Sequence, residues 1–96
     1  MEQQIRLAGS AKQFLREMGR AERQELADAL KSAFGGGNHS PVVGVRMTPE
    51  GFRAMLLSIG YLIVFRQMDE FEIKQYDIDR GVMVMDILTA SEAQPF

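Results

Sequence analysis

The stretch Tyr61-Leu62-Ile63-Val64-Phe65-Arg66-Gln67-Met68 decides the fold. Its first five residues are apolar on both alternating faces, the pattern of a strand covered on two sides, so it is expected at the centre of a sheet. Turn material flanks it, Ser58-Ile59-Gly60 before and Asp69-Glu70 after. Three further strand-length runs surround it: Phe52-Arg53-Ala54-Met55-Leu56-Leu57, Phe71-Glu72-Ile73-Lys74-Gln75-Tyr76 and Val82-Met83-Val84-Met85-Asp86-Ile87-Leu88. The last two are separated by Asp79-Arg80-Gly81. Strands joined in sequence by short turns make a meander, so the second half of the chain predicts three or four mainly antiparallel strands. Glu72, Lys74 and Gln75 give the Phe71–Tyr76 run one wet face, and Met83 and Met85 read as pliable core.

Working outward toward the N-terminus, the sequence changes period. Ile5-Arg6-Leu7-Ala8 alternates and predicts a short opening strand. Ser10-Ala11-Lys12-Gln13 places a capping hydroxyl three residues before a glutamine, which predicts a helix from Ala11. Phe14, Leu15 and Met18 form its apolar stripe, and Gly19 is expected to end it in the left-handed conformation. From Arg20 to Phe34 the chain has no breaker and puts Leu26, Leu30, Ala33 and Phe34 on one face, which predicts a longer helix. Two helices so closely joined fold back as an αα-hairpin, and neither stripe can be buried without a third surface. The expected architecture is therefore α+β, with an N-terminal αα-hairpin packed on one face of the sheet.

Composition sets limits on function. Ninety-six residues suffice for one domain with one core. The chain has no cysteine, which removes disulfides, thiolate metal sites and cysteine nucleophiles, and a single histidine, His39. His39 lies in Gly35-Gly36-Gly37-Asn38-His39-Ser40-Pro41, which reads as the most mobile internal segment because glycine loses the most entropy on ordering. Neither Lys-Ser nor Lys-Thr follows the triple glycine, so it is a connector rather than a phosphate loop. Asp77, Asp79 and Asp86 lack the alternate-position acids of a calcium loop. No metal or cofactor is expected. The formal charge is −2, and residues 65–96 carry three basic against seven acidic side chains. Such a surface repels phosphate, so nucleic acid is not the default partner. A polar start and the lack of any apolar run near the roughly 18 residues of a membrane span predict a cytoplasmic protein with no membrane contact.

The order of these elements, together with Gly51-Phe52-Arg53 and Gly60-Tyr61-Leu62-Ile63-Val64-Phe65 followed by Asp69-Glu70, resembles the RelE/ParE superfamily of bacterial type II toxin–antitoxin systems. The similarity covers about two thirds of the chain as a pattern. It implies a RelE/ParE-like fold, a disordered antitoxin as cognate partner, and action on ribosome-bound mRNA as an endoribonuclease or on gyrase. By that resemblance the candidate catalytic residues are Arg53 and Arg66, which would hold phosphate, and Tyr61, which would stack or donate a proton. Where family members commonly have arginine after Gly-Tyr, this chain has Leu62, and two residues beyond Arg53 stands Met55. RNA cleavage through the 2′-hydroxyl needs a base, an acid and cations, and no base stands beside these residues in the sequence, which points to action through a protein target. The alternative in another class is a small non-catalytic interaction or inhibitor protein, dimeric in one version, that binds through an exposed strand or the helical hairpin.

Overall fold

The computed structural model describes residues 4–35, 41–78 and 80–91. The elements run β1 (Gln4–Leu7), α1 (Gly9–Arg16), α2 (Arg20–Gly35), β2 (Val42–Met47), β3 (Arg53–Leu57), β4 (Tyr61–Gln67), α3 (Glu70–Tyr76) and β5 (Gly81–Thr89). They form one five-stranded mixed sheet in the order β1-β5-β4-β3-β2. The strands β2 to β5 make an antiparallel meander, interrupted between β4 and β5 by α3. The strand β1 joins the far edge parallel to β5, with Ile5 opposite Val82 and Leu7 opposite Val84.

As its composition predicts, β4 is central, and Leu62, Ile63 and Phe65 are all buried although they alternate between faces. One face of the sheet presents Met55, Leu57, Ile63, Phe65, Val82, Val84 and Ile87, and the helices lay Ala11, Leu26, Ala29, Leu30 and Phe34 upon it. Phe14, Leu15, Met18 and Ala33 close the margin of this core. Two aromatic pairs fix the helices to β4: Phe34 meets Phe65 edge-on at 4.9 Å, and Phe14 meets Tyr61 at 5.9 Å. Such pairs contribute about 0.5–1.5 kcal/mol each beyond the area they bury. The apolar stripes of α1 and α2 thus pack into the core on the sheet.

Four expectations need correction. The Phe71–Tyr76 run is the helix α3, because Asp69 caps it. The Asp69 carboxylate accepts from the Glu72 N–H at 2.8 Å, and Glu72 accepts from the Asp69 N–H at 3.1 Å, a complete capping box that a strand could not use. Asp77 closes this helix in the left-handed conformation at φ 53°. The edge strand β2 was not expected at all. Its signal is the valine-rich Val42-Val43-Gly44-Val45 followed by Thr48-Pro49-Glu50-Gly51, in which Gly51 (φ 91°) returns its N–H to the Thr48 carbonyl at 3.0 Å. That is a three-residue hairpin loop, a type I turn with proline in its second place followed by a positive-φ glycine. The sheet therefore has five strands rather than three or four, and one of its pairings is parallel. At the start of α1, Ser10 does not cap. The helix begins at Gly9 with Ala8 in the cap position and no side-chain cap bond, Gln13 donates instead to Glu17 at 2.9 Å, and Gly19 is not left-handed. The segment 36–40, with His39, and Asp79 lie outside the described residues.

Leu30 is 5% exposed and sits between the two layers. We expect Leu30→Ala to cost about 2–5 kcal/mol in urea unfolding, as a large-to-small change in a closed core does. An unchanged midpoint would mean that the α2 stripe does not bear on the sheet.

Candidate functional site

The strand register places Arg53, Tyr61 and Arg66 without bringing them together. Arg53 opens β3 opposite Phe65, so it shares the helix-bearing face, but it lies beyond the helices and is exposed. Among the described residues its side chain makes no hydrogen bond or ion pair. Tyr61 is on the same face as Phe65 but four residues away, roughly 13 Å along the strand, and its half-buried ring rests on Phe14. Arg66 follows Phe65 and points to the opposite face, where it pairs across to Met83 of β5. One phosphate cannot be held by two guanidinium groups on opposite sides of a sheet.

Arg66 is also committed. Its Nη1 and Nη2 donate to the two carboxylate oxygens of Glu72 at 2.7 and 2.9 Å, a bidentate fork, and Nη1 also reaches the Gln67 carbonyl at 3.3 Å. The hydrogen bond from Arg66, with the Asp69 N–H second, holds the Glu72 carboxyl below the usual glutamate range; the same bond raises Arg66 above its ordinary value. Glu72 thus caps α3 and anchors it to β4 in one step. Bidentate, partly shielded pairs of this kind are the stronger class of ion pair. Spacing in the sequence does not show that Glu72 lies beside Arg66.

Beyond α3, the guanidinium of Arg6 lies over the Tyr76 ring, 4.4 Å from its centroid. Arg6, Lys12, Tyr76 and Met83 line an open cleft of about 400 Å³ beside β1. A second cleft of about 180 Å³, lined mainly by Ile5, Leu7, Leu15, Ala27 and Leu30, separates β1 from the hairpin. Among the described residues no group of three or more His, Asp or Glu is placed to hold a metal, and no helix is long and apolar enough to cross a membrane.

The feature that sequence reasoning missed is the outer edge of β2. Val43, Val45 and Met47 are 65%, 51% and 64% exposed, on a strand that has one neighbour among the described residues; Val45 and Met47 share the face of Met55 and Arg53, and the bulge at Val43 breaks the alternation beyond them. The Thr48 N–H donates to the Phe52 carbonyl at 2.7 Å, which makes Thr48–Phe52 a hydrogen-bonded pair of the β2–β3 ladder. Such pairs alternate along an antiparallel ladder, so Arg46–Ala54 and Gly44–Leu56 are the next ones inward. Val45 and Met47 therefore turn their own N–H and C=O groups toward the open side. Edge strands are commonly blunted by proline, by several charges or by a covering element. Here the strand carries one charge, Arg46, and a bulge between Val42 and Gly44, while Pro41 stands outside it. The signal in the sequence was the Val-rich run after Pro41, which the triple glycine before it masked as loop.

No family model, curated protein or solved structure matches this chain.

The depressed Glu72 carboxyl links stability to pH in a defined direction. Its ionised form is favoured in the folded protein, so its contribution is fully present above the ordinary glutamate range and is lost as pH falls through the lower folded value. We expect Glu72→Gln to lower the melting temperature near neutral pH and to match wild type progressively in acid. A deficit that does not shrink on acidification would show that the Arg66 pairing is not its source.

Proposed function

We propose that the protein acts by binding another polypeptide in the cytoplasm, not by turning over a substrate at Arg53, Tyr61 and Arg66. The observation that supports this most directly is the open edge of β2, where outward-facing backbone groups of Val45 and Met47 accompany their exposed side chains. An extended segment laid against such an edge gains main-chain hydrogen bonds, and alternate side-chain contacts select its sequence. The resemblance to RelE/ParE toxins fits the same scheme: the bound segment would belong to a disordered antitoxin that folds on binding, and any toxicity would run through a protein target.

The separation of Arg53 from Arg66 argues against a shared phosphate site, and the Arg66–Glu72 fork leaves Arg53 as a lone cation. A lone cation can position a phosphate, but a missing general base forfeits roughly 10²-fold or more in rate. Induced expression in a bacterial host tests the proposal, with growth, cleavage of mRNA on translating ribosomes and gyrase supercoiling followed for wild type and Arg53→Ala. We expect no site-specific mRNA cleavage from either protein, and any growth defect should survive Arg53→Ala. Cleavage abolished by Arg53→Ala would restore the nuclease and defeat the proposal. Absence of toxicity would remove the toxin half of it and leave the binding function.

A further inference from the structure

The surroundings of β1, at the opposite end of the sheet from β2, carry one sign of charge. The two clefts beside this strand adjoin at Ile5 and Leu7, which line both. Arg6 and Lys12 stand in the larger cleft, Arg23 and Lys31 in the smaller, and among the described residues no Asp or Glu lines either. That reverses the balance of a chain whose net charge is −2. Arg66 has its carboxylate in Glu72, but these four cations have none. Arg23 donates to the Met18 carbonyl at 3.2 Å, and Arg6 lies over the Tyr76 ring. Lys12 and Lys31 make no side-chain hydrogen bond or ion pair among the described residues.

Two further properties define what the clefts suit. The smaller one is otherwise apolar, with Leu15, Ala27 and Leu30 completing the wall begun by Ile5 and Leu7. The β1 backbone adds donors on its open side. Gln4 N–H donates to the Arg80 carbonyl at 3.0 Å and Ala8 N–H to the Val84 carbonyl at 2.9 Å, so the even-numbered residues bond to β5. The N–H groups of Ile5 and Leu7 therefore turn away from it. We infer that the adjoining clefts bind a small amphiphilic anion, a carboxylate or phosphate monoester on an aliphatic chain. Its head lies among Arg6, Lys12 and the outward N–H groups, and its chain enters the smaller cleft between β1 and the α1–α2 hairpin. Guanidinium and ammonium donors make charge-assisted hydrogen bonds to such a head, and burial of the chain supplies the apolar part of the affinity. The larger cleft, at about 400 Å³, has the size of a small-molecule site. A polyanion suits it less, because the acidic surface of residues 65–96 repels one.

Four probes with one chain and different heads test this: octanoate, octyl phosphate, octanol and octylamine, each titrated into the protein while amide resonances are followed. We expect both anions to shift Ile5, Leu7, Lys12 and Lys31, the tighter of the two identifying the head, with octanol far weaker and octylamine without effect. Arg6→Gln and Lys12→Gln, both at exposed positions, should each weaken the anions roughly fivefold, as loss of one partly solvated ion pair does. Ala27→Phe, which fills the smaller cleft, should abolish their binding with an unchanged circular dichroism spectrum. Octanol binding as tightly as octanoate, or anion shifts that persist in the Arg6→Gln/Lys12→Gln double variant, would overturn the proposal. So would the absence of any shift along β1. Shifts along β1 caused by a polyglutamate peptide or by anionic phospholipid vesicles, but by neither octyl anion, would also overturn it and give the clefts to a macromolecular partner.

Discussion

Everything else in this molecule depends on the burial of β4 from both sides. Ile63 and Phe65 receive the helical hairpin on one face, and Leu62 is closed over on the other. With Ile63 and Phe65 packed on one face and Leu62 buried on the other, its register cannot slip by one residue without pushing Phe65 out of contact with Phe34. The position of β3, the bulge that lets β5 pass at Val64 and Phe65, and the landing site of α2 all follow from that fixed register.

The opposite side of β4 shows how one charged residue is drawn into structure. Helix α3 is seven residues long with no fully buried residue, too short and too exposed to be held by packing alone. It is held by polar geometry: Asp69 and Glu72 cap its start, and Arg66 grips Glu72 with two bonds. Arg6 over Tyr76 adds a contact between β1 and the helix's last turn. Arg66 is thus engaged by Glu72, while Arg53, on the other face, makes no hydrogen bond or ion pair among the described residues. The sheet places Arg53 and Tyr61 on one face and Arg66 on the other.

The two edge strands of the sheet, β1 and β2, differ in what lies beside them. On the β1 side, the α1–α2 hairpin and α3 crowd the strand, and Ile5 and Leu7 line the clefts between them. On the β2 side, Val45 and Met47 are exposed and turn their backbone groups away from β3, the only strand beside β2 among the described residues.

The sequence by itself determined the local elements wherever hydrophobic period and length agreed. Arg20 to Phe34 has a helical stripe and no breaker, and Tyr61 to Phe65 is apolar throughout, so each could be only one thing. It also held the capping box of Asp69 and Glu72 and the Thr48-Pro49-Glu50-Gly51 turn, signals that were legible but outweighed by the strand-like composition of Phe71 to Tyr76 and by the glycines before Pro41. Tertiary structure alone decided the rest. Whether β1 runs parallel to β5 depends on where the hairpin delivers the chain, and no local pattern encodes that. Whether Arg66 is free or bound depends on a glutamate brought to it by a turn, and whether Arg53 and Arg66 share a site depends on the parity of a register across three strands. These are relations between distant segments, fixed by side-chain packing and hydrogen-bond direction, and a one-dimensional pattern does not contain them.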